Sequence, residues 1–311
     1  MTLKRKESTV SRGIFSSFVI LFFSVICSSL FSPLVNEFTK SALSLCFSVV
    51  IGSVFPFMIL TDLISTQTHF EQILPLKALF ERMFKINGHA FSAFLSGAVC
   101  GFPLGVKVAV DLYKREIITR DECERLIGFS NNTGPAFVIS GIGVGLLHSY
   151  SIGNIIYISM IISAVLVGII FGLRKRPSIS KGALCESNFD FVASIKKGAL
   201  GTLNVCGFVV IFSVISGIIS LFVKNGTLFT LLTSFIEVSC AAKAISVCGF
   251  GICLKTALSA FAVSFSGLSV HLQAKSFIAE TDISMKTYYK MKLLQGVLAF
   301  IIAFLIFKAF E

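Results

Sequence analysis

Tryptophan is absent from this chain of 311 residues, and charged side chains make up only 14% of it. A soluble domain of this length needs far more polar surface, so a water-soluble globule is excluded. The missing Trp removes the usual Trp belt of a membrane interface but carries no functional reading. The nine cysteines form no C-x-x-C and have no His at ligand spacing, so neither a metal site nor a disulfide framework is expected. There is no H-E-x-x-H and no Asp pair at hydrolase spacing, and the chain is read as having no enzyme activity. No strand precedes Gly141-x-Gly143-x-Gly145, which is a stripe for close helix packing rather than a dinucleotide fingerprint. No small-x-small cleavage site follows the apolar run from Ile14 to Phe31, and Ile26 before Cys27 spoils a lipoprotein site. That run is read as a retained first helix.

What is present is hydrophobic. The chain is 55% apolar, with 33 Phe and a mean hydropathy of +0.88. Several runs approach the roughly 20 residues that span a bilayer as a helix. The expected class is an all-α polytopic membrane protein, multi-pass in a bacterial cell membrane. The net charge of +11 suggests nucleic acid at first. However, Lys and Arg sit in short loops between apolar runs, the positive-inside pattern, so no nucleic acid is expected and the lipid bilayer is the partner.

Loop charges thread the chain. Lys4, Arg5, Lys6 and Arg12 hold the N-terminus inside. Helix 14–34 crosses to a short loop from Asn36 to Lys40, and helix 41–64 returns to an amphipathic arm over 70–86. Segment 91–111 has basic residues on both flanks, so it does not cross. With Gly101, Pro103 and Gly105 in its middle it reads as a re-entrant hairpin with those residues at its tip. Segment 124–149 crosses with a break at 131–135, and helix 152–173 returns to a basic loop. Helix 198–223 leads to a second hairpin over 227–247. Segment 256–278 is broken around Ser264 to Ser269, a loop follows with Lys286, Lys290 and Lys292, and helix 293–309 ends the chain.

The chain also contains a faint copy of itself. Gly105-Val106-Lys107-Val108 corresponds to Ala241-Ala242-Lys243-Ala244, and Phe129-Ser130 to Phe265-Ser266, all 136 positions apart. Each copy threads as helix, hairpin, broken helix, helix. That is an odd number of crossings, so the second copy is inverted relative to the first. The resulting divisions are a lead-in helix (1–40), a first repeat (41–173), a basic cytoplasmic loop (174–197) and a second, inverted repeat (198–311).

The stretch from Gly101 to Lys107, the helix start at Asp121-Glu122, Phe129-Ser130-Asn131-Asn132-Thr133-Gly134-Pro135, and Phe265 through Gln273 resemble the sporulation integral membrane protein YlbJ family, also called stage V sporulation protein V. That family is similar to the nucleoside-recognition, Gate-domain group, and so to concentrative nucleoside transporters. The resemblance implies an inverted-repeat transporter with two re-entrant helical hairpins and two broken transmembrane helices. It also implies transport of dipicolinic acid across the outer forespore membrane during endospore formation. One departure stands out: the second hairpin reads Glu237-Val238-Ser239-Cys240-Ala241 without the glycine usual in relatives.

Broken helices aim half-helix N-termini at the membrane midplane, which suits a carboxylate, and the freed carbonyls suit a cation. Lys107, in an apolar segment after the hairpin tip, is a candidate to attract a small anionic substrate; snorkelling to the interface or pairing with Asp111 is the structural alternative. Ser130, Asn131, Asn132, Thr133 and Gly134 form one candidate substrate-binding cluster, and Ser266, Ser269, His271 and Gln273 a second. Their alternative role is to satisfy backbone groups freed by the breaks. Glu237 is the candidate for a coupling ion. No cofactor is expected beyond coupling Na⁺ or H⁺, and a homo-oligomer is compatible with this reading. The expected function is secondary transport of a small organic anion, most simply dipicolinic acid, by alternating access. The alternatives are a Na⁺- or H⁺-coupled carrier of nucleosides or another organic anion and, in a different class, a non-transporting membrane assembly protein.

Overall fold

A computed structural model describes residues 32–66, 74–177 and 190–310. The lead-in helix expected over 14–34 lies almost wholly outside the described residues, as does most of the basic loop. All regular structure among the described residues is helical.

The first helix, α1, joins Ser32–Leu45, a π-helical stretch Cys46–Val50 and Ile51–Thr66 without interruption. The loop expected from Asn36 to Lys40 is therefore helical. Its polar side chains are partly or fully exposed, and polarity alone did not end the helix. The arm α2, Leu74–Phe84, follows. Helices α3 (Phe91–Val99) and α4 (Leu104–Lys114) are antiparallel neighbours joined at Cys100–Pro103, the predicted first hairpin. α5 (Arg120–Ser130) stops at Asn131, and after four non-helical residues the chain resumes as π-helical α6, Ala136–Leu146. α7 is Tyr150–Gly172.

The same order then recurs. α8 (Phe191–Phe222) leads to a hairpin of α9 (Gly226–Ile236) and α10 (Val238–Val247). α11 (Ile252–Phe265) and α12 (Gly267–Ile278) are separated by Ser266 alone, and α13 is Lys286–Phe310. α7 and α13 begin 136 positions apart, at Tyr150 and Lys286. Because α8 begins at Phe191, Lys196 and Lys197 lie in its first turns rather than in the loop.

Local chemistry sets the boundaries. Ser149, Asp190 and Asn225 each accept a backbone N–H at the start of α7, α8 and α9. Thr119 and Glu122 form a capping box on α5, and the other oxygen of buried Glu122 accepts Asn87 N at 2.9 Å. Arg125 donates to Phe84 O and Lys85 O, both at 2.9 Å, which places a cation on the last carbonyls of α2. The arm is thus bolted to the first broken helix. Its Phe80 and Phe84 pack with Phe94 and Phe129, and Phe84 stacks on Phe129 at 4.8 Å.

Helix packing interleaves the two halves. α1 lies along α8, and α13 packs on α11, α7 and also α5 of the first half. Gly143 allows close approach as expected, because a Cβ there would meet Gly153 Cα at 2.5 Å.

Candidate functional site: two hairpin tips at a broken helix

Each hairpin tip abuts a break in the same half. Gly101 has φ +86°, and a Cβ there would lie 2.6 Å from Gly134 N. At the second break Gly267 has φ +64°, with Ile236 O at 3.1 Å and Glu237 N at 3.2 Å from its Cβ position. Both positions need glycine for the left-handed backbone and the close approach. The turn in the second hairpin is a single extended residue, Glu237, with φ −150° and ψ 126°. No positive φ is required there, so the absence of a tip glycine leaves the hairpin intact.

Between these contacts lies a cleft. It is lined by Gly101 and Phe102 of the first tip, Thr133 to Phe137 at the first break, Glu237 to Ser239 of the second tip, and Val270 and Gln273 of α12. Val54 and Phe57 of α1 and Val205 and Val209 of α8 supply apolar walls. The cleft encloses about 90 Å³, well below the roughly 300–1,000 Å³ of a formed ligand pocket.

The predicted residues divide over three environments. Thr133, Gly134, Gly101, Glu237 and Gln273 line the cleft. Glu237 is 3% exposed and accepts Cys240 N at 2.7 Å, so its carboxylate already fills the N-terminus of α10. Ser130, Asn131 and Asn132 are fully buried but do not line the cleft. Ser130 O is wedged between Gly97 and Gly105 of the hairpin, while Pro103 caps the start of α4. Ser266 and His271 satisfy carbonyls around the second break: Ser266 Oγ donates to Val263 O at 3.1 Å, and His271 Nε2 meets Phe265 O at 2.8 Å. Ser269 Oγ accepts Gln273 Nε2 at 3.4 Å. The breaks are tied together by Thr133 Oγ1, which donates to Val263 O at 2.8 Å.

Lys107 does not line the cleft. It donates to Met58 O at 3.3 Å, against α1. Its repeat mate Lys243 is exposed.

Three functional candidates were missed, all on α13. Lys292, expected in the preceding loop, is helical and 0% exposed; it donates to Asn131 O and to Gln295 Oε1, both at 2.8 Å. Gln295 Nε2 donates to Asn132 Oδ1 at 2.8 Å, and Asn131 Nδ2 to Tyr288 Oη at 2.9 Å. Tyr288, Lys292 and Gln295 are spaced by four and three, so one helix face presents all three to the first break. That spacing was the available signal. The cluster of Lys286, Lys290 and Lys292 drew the helix start too late.

The described residues include four helical spans long and apolar enough to cross a membrane: Tyr150–Gly172, Phe191–Phe222, Ile252–Ile278 with its interruption at Ser266, and Lys286–Phe310. With its all-helical fold and paired interrupted segments, the chain is a multi-pass integral membrane protein. No family model and no solved structure matches it. It is 27% identical to the sporulation integral membrane protein YlbJ of Bacillus subtilis (strain 168) over 316 aligned positions, spanning 88% of this chain and 77% of that one. This likeness supports the resemblance to the YlbJ family of sporulation integral membrane proteins.

Proposed function

We propose that the chain is a secondary transporter of a small organic anion, dipicolinic acid during endospore formation, working by alternating access between two inverted halves. The observation that carries this reading is the cleft where both hairpin tips meet the first break. Interrupted helices are costly in hydrocarbon and are tolerated where they line a site. A scaffold has no use for two of them converging on one cleft.

Electrostatics favour one end of that cleft for the anion. The N-terminus of α10 is occupied by Glu237. The start of α6 after Pro135 carries no acidic side chain in its first turn, and Lys292 lies behind it on Asn131. A substrate carboxylate is therefore received at Thr133 to Ala136, with the flat ring between the valines of α1 and α8. Glu237 is left to bind the coupling Na⁺ or H⁺. The YlbJ likeness supports a sporulation setting.

The test is uptake of labelled dipicolinate into proteoliposomes holding the purified chain, with and without Na⁺ and pH gradients. Saturable uptake, competed by other pyridine dicarboxylates and not by nucleosides, is expected. Competition by nucleosides selects the nucleoside carrier instead, and absence of any saturable flux selects the assembly protein.

A further inference from the structure

The first break holds a fully buried lysine with no acidic side chain beside it among the described residues. Lys292 Nζ reaches two neutral oxygens, Asn131 O and Gln295 Oε1, both at 2.8 Å. In an unbroken helix Asn131 O would accept from the residue four positions on, which is Pro135 and has no N–H. The carbonyl is therefore free for a cation by sequence. Gln295 is turned toward Lys292 because its amide nitrogen donates to Asn132 Oδ1 at 2.8 Å and Met160 O at 3.4 Å.

Among the described residues the surroundings offer no counter-charge. Tyr288 on the same helix and His271 from α12 face this cluster, and Tyr288 Oη accepts from Asn131. The charged residues of α5 pair at its other end, Arg125 with Asp121, Arg120 with Glu124 and Asp282, and Asp121 also with Lys175. α7 offers Tyr157, which donates to Ala98 O, and α11 offers Lys255, which donates to Ser246 O. Freed carbonyl and amide oxygens around a positive centre are the ligand set of an alkali cation. The positions 136 earlier than Lys292 and Gln295 are Ile156 and Ser159, so only one half is built this way.

We propose that Lys292 is a tethered cation, its ammonium filling the first break where a mobile metal ion would otherwise be needed, so that this break has no sodium site of its own. The inference rests on the transporter reading for what the cation serves, not for where it sits. Sodium coupling, where it occurs, then has to act elsewhere in the chain.

The test needs no transport. The purified full-length chain is melted in detergent in NaCl and in choline chloride at equal ionic strength, as wild type, Lys292→Ala, Lys292→Gln and Lys292→Arg. The wild-type difference between the two salts reports any sodium site elsewhere, Glu237 included, and is the baseline. Lys292→Ala should melt lower in choline and recover about 2–4 °C for each tenfold rise in Na⁺ above its dissociation constant, as Na⁺ enters the vacated oxygens. Lys292→Gln should also melt below wild type. Failure of both neutral variants to accumulate while Lys292→Arg does would equally support a required charge. A Lys292→Ala protein whose sodium response does not exceed that of the wild type, or loss of all three variants, overturns the proposal. Absence of dipicolinate flux alongside a sodium-responsive Lys292→Ala sinks the substrate and leaves the tethered cation standing.

Discussion

Adding one methyl group at Gly97 should open the first break. A Cβ there collides with the carbonyl oxygen of Ser130 and lies 2.8 Å from its carbonyl carbon, and a Cβ at Gly105, across the hairpin, lies at the same 2.8 Å from that carbon. Favourable carbon contacts begin near about 3.5 Å, so hairpin and break must separate by roughly 0.7 Å or more. Both sides are backbone, and no side chain can swing away. Overpacking of a buried site costs roughly 1–3 kcal/mol, and the upper end applies here. At about 2–4 °C per kcal/mol for a chain somewhat smaller than this one, Gly97→Ala should melt about 6–12 °C lower in detergent. Dipicolinate flux should fall with it, since Thr133 and Gly134 move with Ser130. Gly207→Ala is the control, because a Cβ at that exposed helical position meets nothing within 4 Å. It should melt no lower than wild type. A Gly97→Ala protein with unshifted melting and full flux would refute the seating of the break on the hairpin.

Two further outcomes are expected. Glu237→Ala removes the cap from α10 and should cost about 1 kcal/mol, read as a lower melting temperature, together with loss of ion-driven flux; retained coupling would take Glu237 out of the ion site. Single cysteines replacing Arg82 and Arg115 in a cysteine-free background should label from one side of the membrane, and those replacing Lys224 and Lys255 from the other. Labelling of Arg82 and Arg115 positions from opposite sides contradicts the re-entrant hairpin and the inversion.

Much of the fold was legible because its punctuation is local. Pro135 and the polar run before it, Gly101 with Pro103, and the serines around residue 266 mark backbone that cannot stay helical in hydrocarbon, and each marks a real interruption. Charge was a poorer guide to helix ends: the segment from Asn36 to Lys40 and the lysines at 196 and 197 are helical, because a helix that leaves the bilayer continues into polar surroundings unchanged. Partners distant in sequence were invisible. Nothing near Lys107 announces Met58 O, 49 residues earlier, and nothing near Asn131 announces Lys292. The polar cluster at 130–134 was recognisable as special, but only packing decided that Thr133 faces the cleft while Asn131 and Asn132 face α13.

That last arrangement bears on how the protein is made. Asn131 O is held by an ammonium 161 residues downstream, and Asn132 by an amide 163 residues downstream, both on the final helix. At the roughly 5–20 residues per second of a ribosome, about 10–30 s pass between synthesis of the break and arrival of its partners. Throughout that interval Asn131 O and Asn132 Oδ1 lack the partners that bury them in the finished fold. A chain truncated before Lys286 would never leave that condition, and membrane quality control would meet it as an orphan.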